Sequence, residues 1–308
     1  LKFVEYAGEG TSATSYPGTI AYTESFAAMN PEADYREFDL PFAVVAHEIA
    51  HQWWAHQVIP APVEGAPVLA ESLAWYSALG VVEEALGKEH LQRLLYVMRS
   101  SYLTPRSKAD VPLLRATDPF LAYRKGPFAM YMLREYVGQE RINTALRNLL
   151  KKHSSAEPPL PTSLDLYREL IAVTPDSLKG MLADLFETNT YWEVETKEAQ
   201  AQQLSNGKWQ VTLDVSARKV QADTAGVVTD MPMDDMLEIG AFAAGTDEQA
   251  GKQLYLQKHR IRSGSQKISI IVPDKPAEAG IDPNSLLLDT NPYDNLKKVK
   301  IKEPVRLF

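Results

Sequence analysis

Residues 44–57 read VVAHEIAHQWWAHQ. The apolar spacing predicts a helix, and LPFAVVAHEIAHQWWAHQ extends it from Leu40 to Gln57. Pro41 falls near the start, where a missing N–H costs nothing, and Asp39 serves as N-cap. On such a helix His47 and His51 stand one turn plus about 40° apart, so both imidazoles project from one side. They can share a zinc ion at Zn–N distances of about 2.0–2.1 Å. Glu48, about 100° round the helix, overhangs that position without ligating it and can take a proton from a water held there. This is the H-E-x-x-H arrangement. The bland alternative is a pair of hydrogen-bonded core histidines. The flanking FAVVA and WW argue against it, because two imidazoles and a carboxylate are costly in a buried helix without strong partners.

Two histidines leave a catalytic zinc one protein ligand short. His56 lies about 140° from His51 on a continuous helix and is read as structural. The better candidate is Glu71, set among small and apolar residues in PVLAESLAWYSALG, on the side of the next helix that should be buried. A carboxylate there needs a partner, and a metal is a good one.

Further out, the first 25 residues alternate short strand-like runs with Gly- and Ser-rich turns. Helical patterns continue through KEHLQRLLYVMRSSYL, DPFLAYRKGPFAMYMLREYVG and QERINTALRNLLKKH, with Gly87 and Gly138 where C-caps belong. A Pro-rich break, SSAEPPLPTS, precedes LDLYRELIAV and DSLKGMLADLFE. From about Thr190 the pattern changes to alternating or β-branched runs, KWQVTLDVSA, MLEIGAFAA, KQLYLQKHRI and QKISIIV, with Asn206-Gly207 as a hairpin turn. The chain reads as α+β: a mainly helical domain over 1–192 and an all-β sandwich over 193–308.

Composition bounds the chemistry. The 308 residues are 45% hydrophobic and 23% charged, a globular balance, and the formal net charge is −8. That charge and the lack of a basic run argue against sequence-independent nucleic-acid binding. With no cysteine, any metal must be held by His, Asp or Glu. No apolar run has the length of a spanning helix, and the chain reads as a soluble piece excised from a larger protein.

HEIAHQWW followed by LAESLAWY resembles the aminopeptidase-N-like zinc metallopeptidases, within the thermolysin-like gluzincins. The resemblance implies a thermolysin-like catalytic domain over 1–192, lacking the N-terminal part of its sheet. It implies one Zn2+ per chain held by His47, His51 and Glu71, with Glu48 as base and later acid. The spacing departs slightly, with 19 residues between His51 and Glu71 where the commonest pattern has 18; the extra one falls in the loop IPAPVEGAP. LAYRKG resembles the family's Y-x-K-G motif, which assigns Tyr123 to stabilising the oxyanion. The family's G-A-M-E-N, whose Glu grips a free amino terminus, has its nearest match in PGTIAYTE: Gly18 aligns, Ala21 takes the place of the Glu, and Glu24, three residues on, is either a substitute or, on the favoured reading, a solvated loop charge. Gly18 and Glu24 are therefore the substrate-binding candidates.

The expected activity is hydrolysis of a peptide substrate, most in keeping with an aminopeptidase. The rivals are an endopeptidase without amino-terminal selectivity, and a non-catalytic peptidase-like module of a membrane transporter. HQWW with ES also resembles, more loosely, peptidase-like domains fused to bacterial transporter-permease segments. That implies a periplasmic or membrane-associated setting, with a cytoplasmic one left open.

Overall fold

The computed structural model describes residues 1–29, 39–103, 111–155, 157–246 and 251–302. Ala156 of the Pro-rich break, and 247–250 and 303–308 of the β domain, lie outside them. The chain divides into two compact units, Leu1–Asn189 and Thr190–Phe308.

The first unit opens with a three-stranded sheet of β1 (Lys2–Tyr6), β2 (Ala13–Tyr16) and β3 (Thr19–Thr23) in the order β1-β3-β2. β3 runs parallel to β1 and antiparallel to β2, which leaves β2 on one edge. After a short α1 (Glu24–Ala27) comes α2 (Leu40–Ala50), where Asp39 caps the helix by accepting from the Phe42 N–H at 2.9 Å. α3 (Leu73–Leu86) packs against α2, and α4 (Lys88–Leu103), α5 (Gly126–Val137), α6 (Gln139–His153), α7 (Ser163–Val173) and α8 (Lys179–Phe186) complete the unit. Gly87 and Gly138 end α3 and α5 at φ of 90° and 105°, the left-handed backbone that a side chain resists. Helix patterning is legible because these faces bury runs such as Leu73, Ala78, Leu79 and Val82 at helical spacing.

α2 ends sooner than its apolar run suggests. Helical bonding runs out after His51: Gln52 and Trp53 N–H turn to the carbonyls of Ile49 and Ala50, three residues back, and Ala55 takes a φ of 108°. Trp54 is thereby turned inward, its indole N–H donating to Ser77 Oγ on α3 at 2.9 Å, while Trp53 stays exposed. Two one-turn π-helical segments, Val68–Ser72 and Leu121–Lys125, lead directly into α3 and α5.

In the second unit every described element apart from one short 3-10 turn is a strand. β4 (Thr190–Gln203), β5 (Trp209–Ala222), β6 (Val228–Met231), β9 (Gly264–Val272) and β12 (Lys300–Ile301) form one sheet. β7 (Asp234–Phe242), β8 (Gln253–Arg262), β10 (Glu278–Ile281) and β11 (Leu296–Lys298) form the other. The β4–β5 hairpin turns at Gly207, φ 83°. β4 begins at Thr190, so Thr190–Trp192 are strand and not the tail of the helical domain. Its buried face is Thr190, Trp192, Val194, Thr196, then Ala199 and Ala201 after a bulge. Small and hydroxylated residues on that face, and the bulge, hide the alternation in the sequence.

Candidate metal centre

α2 supplies His47 and His51, and the π turn before α3 supplies Glu71. His47 Nε2 and His51 Nε2 are 3.1 Å apart, and each lies 3.3 Å from Glu71 Oε2. Ligands at about 2.0–2.1 Å from a tetrahedral zinc stand roughly 3.3–3.4 Å from one another, so this triangle has the edge a zinc ion requires. Among the described residues it is the one group of three acidic or imidazole side chains whose donor atoms converge this closely.

The donor chemistry fits a cation. His51 Nδ1 meets the Trp54 carbonyl at 2.9 Å, so it carries the proton and leaves the Nε2 lone pair for the centre. That contact exists because α2 stops at His51 and lets the chain fold back. Burial pushes His47 down, against the pull of Glu71, which favours the neutral ring a ligand needs. Burial on its own would raise Glu71, but His47, His51 and Tyr123 more than offset it and hold the carboxyl below the usual range. For His51 burial is again outweighed, here by Glu71, and the ring shifts upward. An anionic carboxylate drawing positive charge toward itself inside a buried triangle is the electrostatic demand that a divalent ion satisfies.

Glu48 is buried beside the triangle but outside it. Burial raises its pKa; His51 opposes and Glu71 adds to the rise, while a hydrogen bond from the Ser15 backbone opposes. Tyr123 sits in the second π turn with its ring centroid 5.7 Å from that of His47, close enough to the Glu71 carboxylate for each to shift the other's titration. Burial and then the Glu71 charge push the phenol well above its ordinary value, so it stays a proton donor throughout the neutral range.

The two π turns are stapled together. Ser72 Oγ donates to the Ala122 carbonyl at 2.8 Å, and a Cβ added to Gly126 would lie 1.9 Å from Ser72 Oγ. The glycine after Arg124-Lys125 is thus needed for close approach, which sets Tyr123 beside Glu71.

Other sequence candidates are placed as follows. Gly18 sits in the β2–β3 turn at φ 71°, and its N–H donates to Gln52 Oε1 at 2.8 Å. Glu24 is exposed in the first turn of α1 and takes no part in the described hydrogen bonds or charge interactions of the cluster. His56 is not among the converging donors. Residues that sequence reasoning passed over are Ser15, Gln52, the Trp54 carbonyl and Trp75, whose indole stacks on His47 with centroids 4.5 Å apart at 26°. Trp75 follows Glu71 by one helical turn, a spacing that could have marked it. Ser15 offers no such signal, since nothing local ties β2 to α2.

The model of the peptidase family M1 domain matches residues 10–181. No curated protein matches the sequence. Among solved structures, aminopeptidase A of Legionella pneumophila, in complex with aspartic acid, is similar at 14% identity with a TM-score of 0.55. That match covers 98% of this chain and 32% of the other, so this chain spans about a third of its length and shares its fold. A mutant M1 zinc metallopeptidase from Deinococcus radiodurans, bound to a Tyr-Ser-Ala substrate, matches at 21% identity with a TM-score of 0.45, over 60% of this chain and 38% of the other.

Proposed function

The chain belongs to peptidase family M1, and on that premise we propose that it hydrolyses peptide bonds with one zinc ion held by His47, His51 and Glu71. The observation that carries the reading is the triangle of donor atoms at 3.1–3.3 Å with a buried carboxylate beside it. A zinc ion there supplies a Lewis acid that acidifies water and polarises the scissile carbonyl.

The protein's own groups do the rest. Glu48, raised by burial toward the range of a working base, takes the proton of the attacking water and passes it to the leaving amine. The Tyr123 hydroxyl, kept protonated by its raised pKa, donates to the carbonyl oxygen as negative charge develops on it. Trp54 holds His51 in the tautomer that presents Nε2.

An aminopeptidase is the family's form of this chemistry. A second reading, an endopeptidase, is favoured by the position of Glu24: the sequence's candidate for gripping a free amine lies exposed on α1 and outside the cluster's interactions. We measure metal content of the wild type, His51→Ala and Glu48→Gln by mass spectrometry, and assay each on amino-acid anilides and on an N-blocked, internally quenched peptide. One zinc per chain, lost in His51→Ala and kept in Glu48→Gln with activity down at least about a thousandfold, is expected. Absence of zinc from wild type after zinc addition would sink the reading, and the substrate cleaved separates the two peptidase types.

A further inference from the structure

Gln52, the residue directly after His51, has no part in the chemistry above, yet its whole carboxamide is committed. Oε1 accepts from the Gly18 N–H at 2.8 Å, and Nε2 donates to Ser15 Oγ at 2.9 Å and to the Tyr16 carbonyl at 2.9 Å. All three partners lie 34–37 residues upstream, on β2 and the turn that follows it. Among the described residues β2 is the edge of its sheet, and β3 is its one strand partner. The same stretch lies beside the base, since Gln52 holds Ser15 through its Oγ one turn along from Glu48 and the Ser15 backbone lowers the Glu48 carboxyl. Gln52 and Glu48 are four residues apart on α2 and its final turn, so both face the strand together.

Only a group that donates and accepts at once can serve these partners. A glutamate at this position keeps the acceptor for Gly18 but has no N–H for Ser15 or Tyr16, and a methionine keeps the length and loses all three bonds. We propose that Gln52 is a positioning residue: it fastens edge strand β2 to the end of α2 and so keeps β2 seated beside Glu48, one helical turn away, in the arrangement used for proton transfer. The proposal rests on the peptidase reading for its catalytic consequence and on the hydrogen bonds alone for its structural half.

The test compares zinc-loaded wild type, Gln52→Met and Gln52→Glu in three measurements: zinc affinity by chelator competition, kcat and KM on the peptide that wild type cleaves best, and amide hydrogen exchange at Ser15 and Gly18. Both variants are expected to bind zinc as wild type does, with kcat down about tenfold and KM changed less than about threefold. The Ser15 and Gly18 amides should exchange faster, Gln52→Glu retaining more of the Gly18 protection. Unchanged exchange in Gln52→Met overturns the clamp whatever the activity, and faster exchange with wild-type kcat overturns its catalytic consequence. A fall in zinc affinity parallel to kcat overturns it also, by making Gln52 a support of the metal. Zinc-loaded wild type that cleaves nothing defeats the peptidase reading, while the exchange data still decide the clamp.

Discussion

His47 and His51, the two proposed ligands on α2, are alike in type but differ in their surroundings. His51 is fixed through Nδ1 by the Trp54 carbonyl. His47 Nδ1 is buried with no hydrogen-bond partner among the described residues, and the Trp75 indole covers the ring face instead. Stacking of this kind is worth about 0.5–1.5 kcal/mol beyond burial, and loss of a group that orients a ligand costs about 10–100-fold in metal affinity. Trp75→Leu should therefore weaken zinc binding by about tenfold, and Trp75→Phe, which keeps an aromatic face, by less than about threefold. Chelator competition measures both. Equal affinities for Leu and wild type would show that helix packing holds His47 without the indole. The sequence displays Trp75 at the right interval, but a tryptophan in an apolar helix is ordinarily core, and only its stacking on His47 distinguishes it.

Among the secondary-structure elements, the two π turns and the helix caps carry the consequences. A Cβ at Gly126 would strike Ser72 Oγ at 1.9 Å and Ser72 Cβ at 2.6 Å. Gly126→Ala should lower stability by about 1–3 kcal/mol, as overpacking does. Ser72→Gly in the same chain should recover most of that loss, because it removes the atoms that collide. Thermal unfolding of the two singles and the double gives the coupling directly; additive losses would refute the steric account. At α7, the Thr162 N–H and hydroxyl both donate to Asp165 Oδ2, at 2.8 and 2.9 Å. Burial would raise Asp165, but these bonds and the Arg168 charge outweigh it and leave it lowered. A carboxylate lowered in the folded state contributes stability above its ordinary pKa and loses it as pH falls through the lowered value. Asp165→Asn should thus cost about 0.5–1 kcal/mol at pH 7, with the difference from wild type vanishing in strong acid; urea titrations at several pH values measure it. A difference that persists in acid would assign the effect to packing.

For the whole molecule, all three donor atoms lie within Leu1–Asn189, so the proposed zinc site belongs to that unit. Binding to the folded form alone stabilises it by about 2.7 kcal/mol when free zinc is a hundred times its dissociation constant. Hydrogen exchange should slow with zinc in α2, the Val68–Ser72 turn and α3, and stay unchanged from Thr190 onward; slowing confined to other segments would place the ion elsewhere. What could be read without coordinates was local. The α+β division, the Asp39 cap, the Gly87 and Gly138 stops and the pairing of His47 with His51 follow from helical and strand periods and from backbone angles that few residues tolerate. These forces act within one turn or one hairpin, so a one-dimensional pattern records them. β4 escaped because, apart from Trp192 and Val194, its buried face is built from Thr and Ala, which carry little hydropathy contrast, and a bulge shifts the alternation midway. The end of α2 at His51, the approach of Tyr123 to Glu71 through Ser72 and Gly126, and the fastening of β2 by Gln52 depend on contacts across about 20 to 55 residues. Such contacts are set by steric fit and hydrogen-bond geometry between segments, and those appear only once the chain has closed on itself.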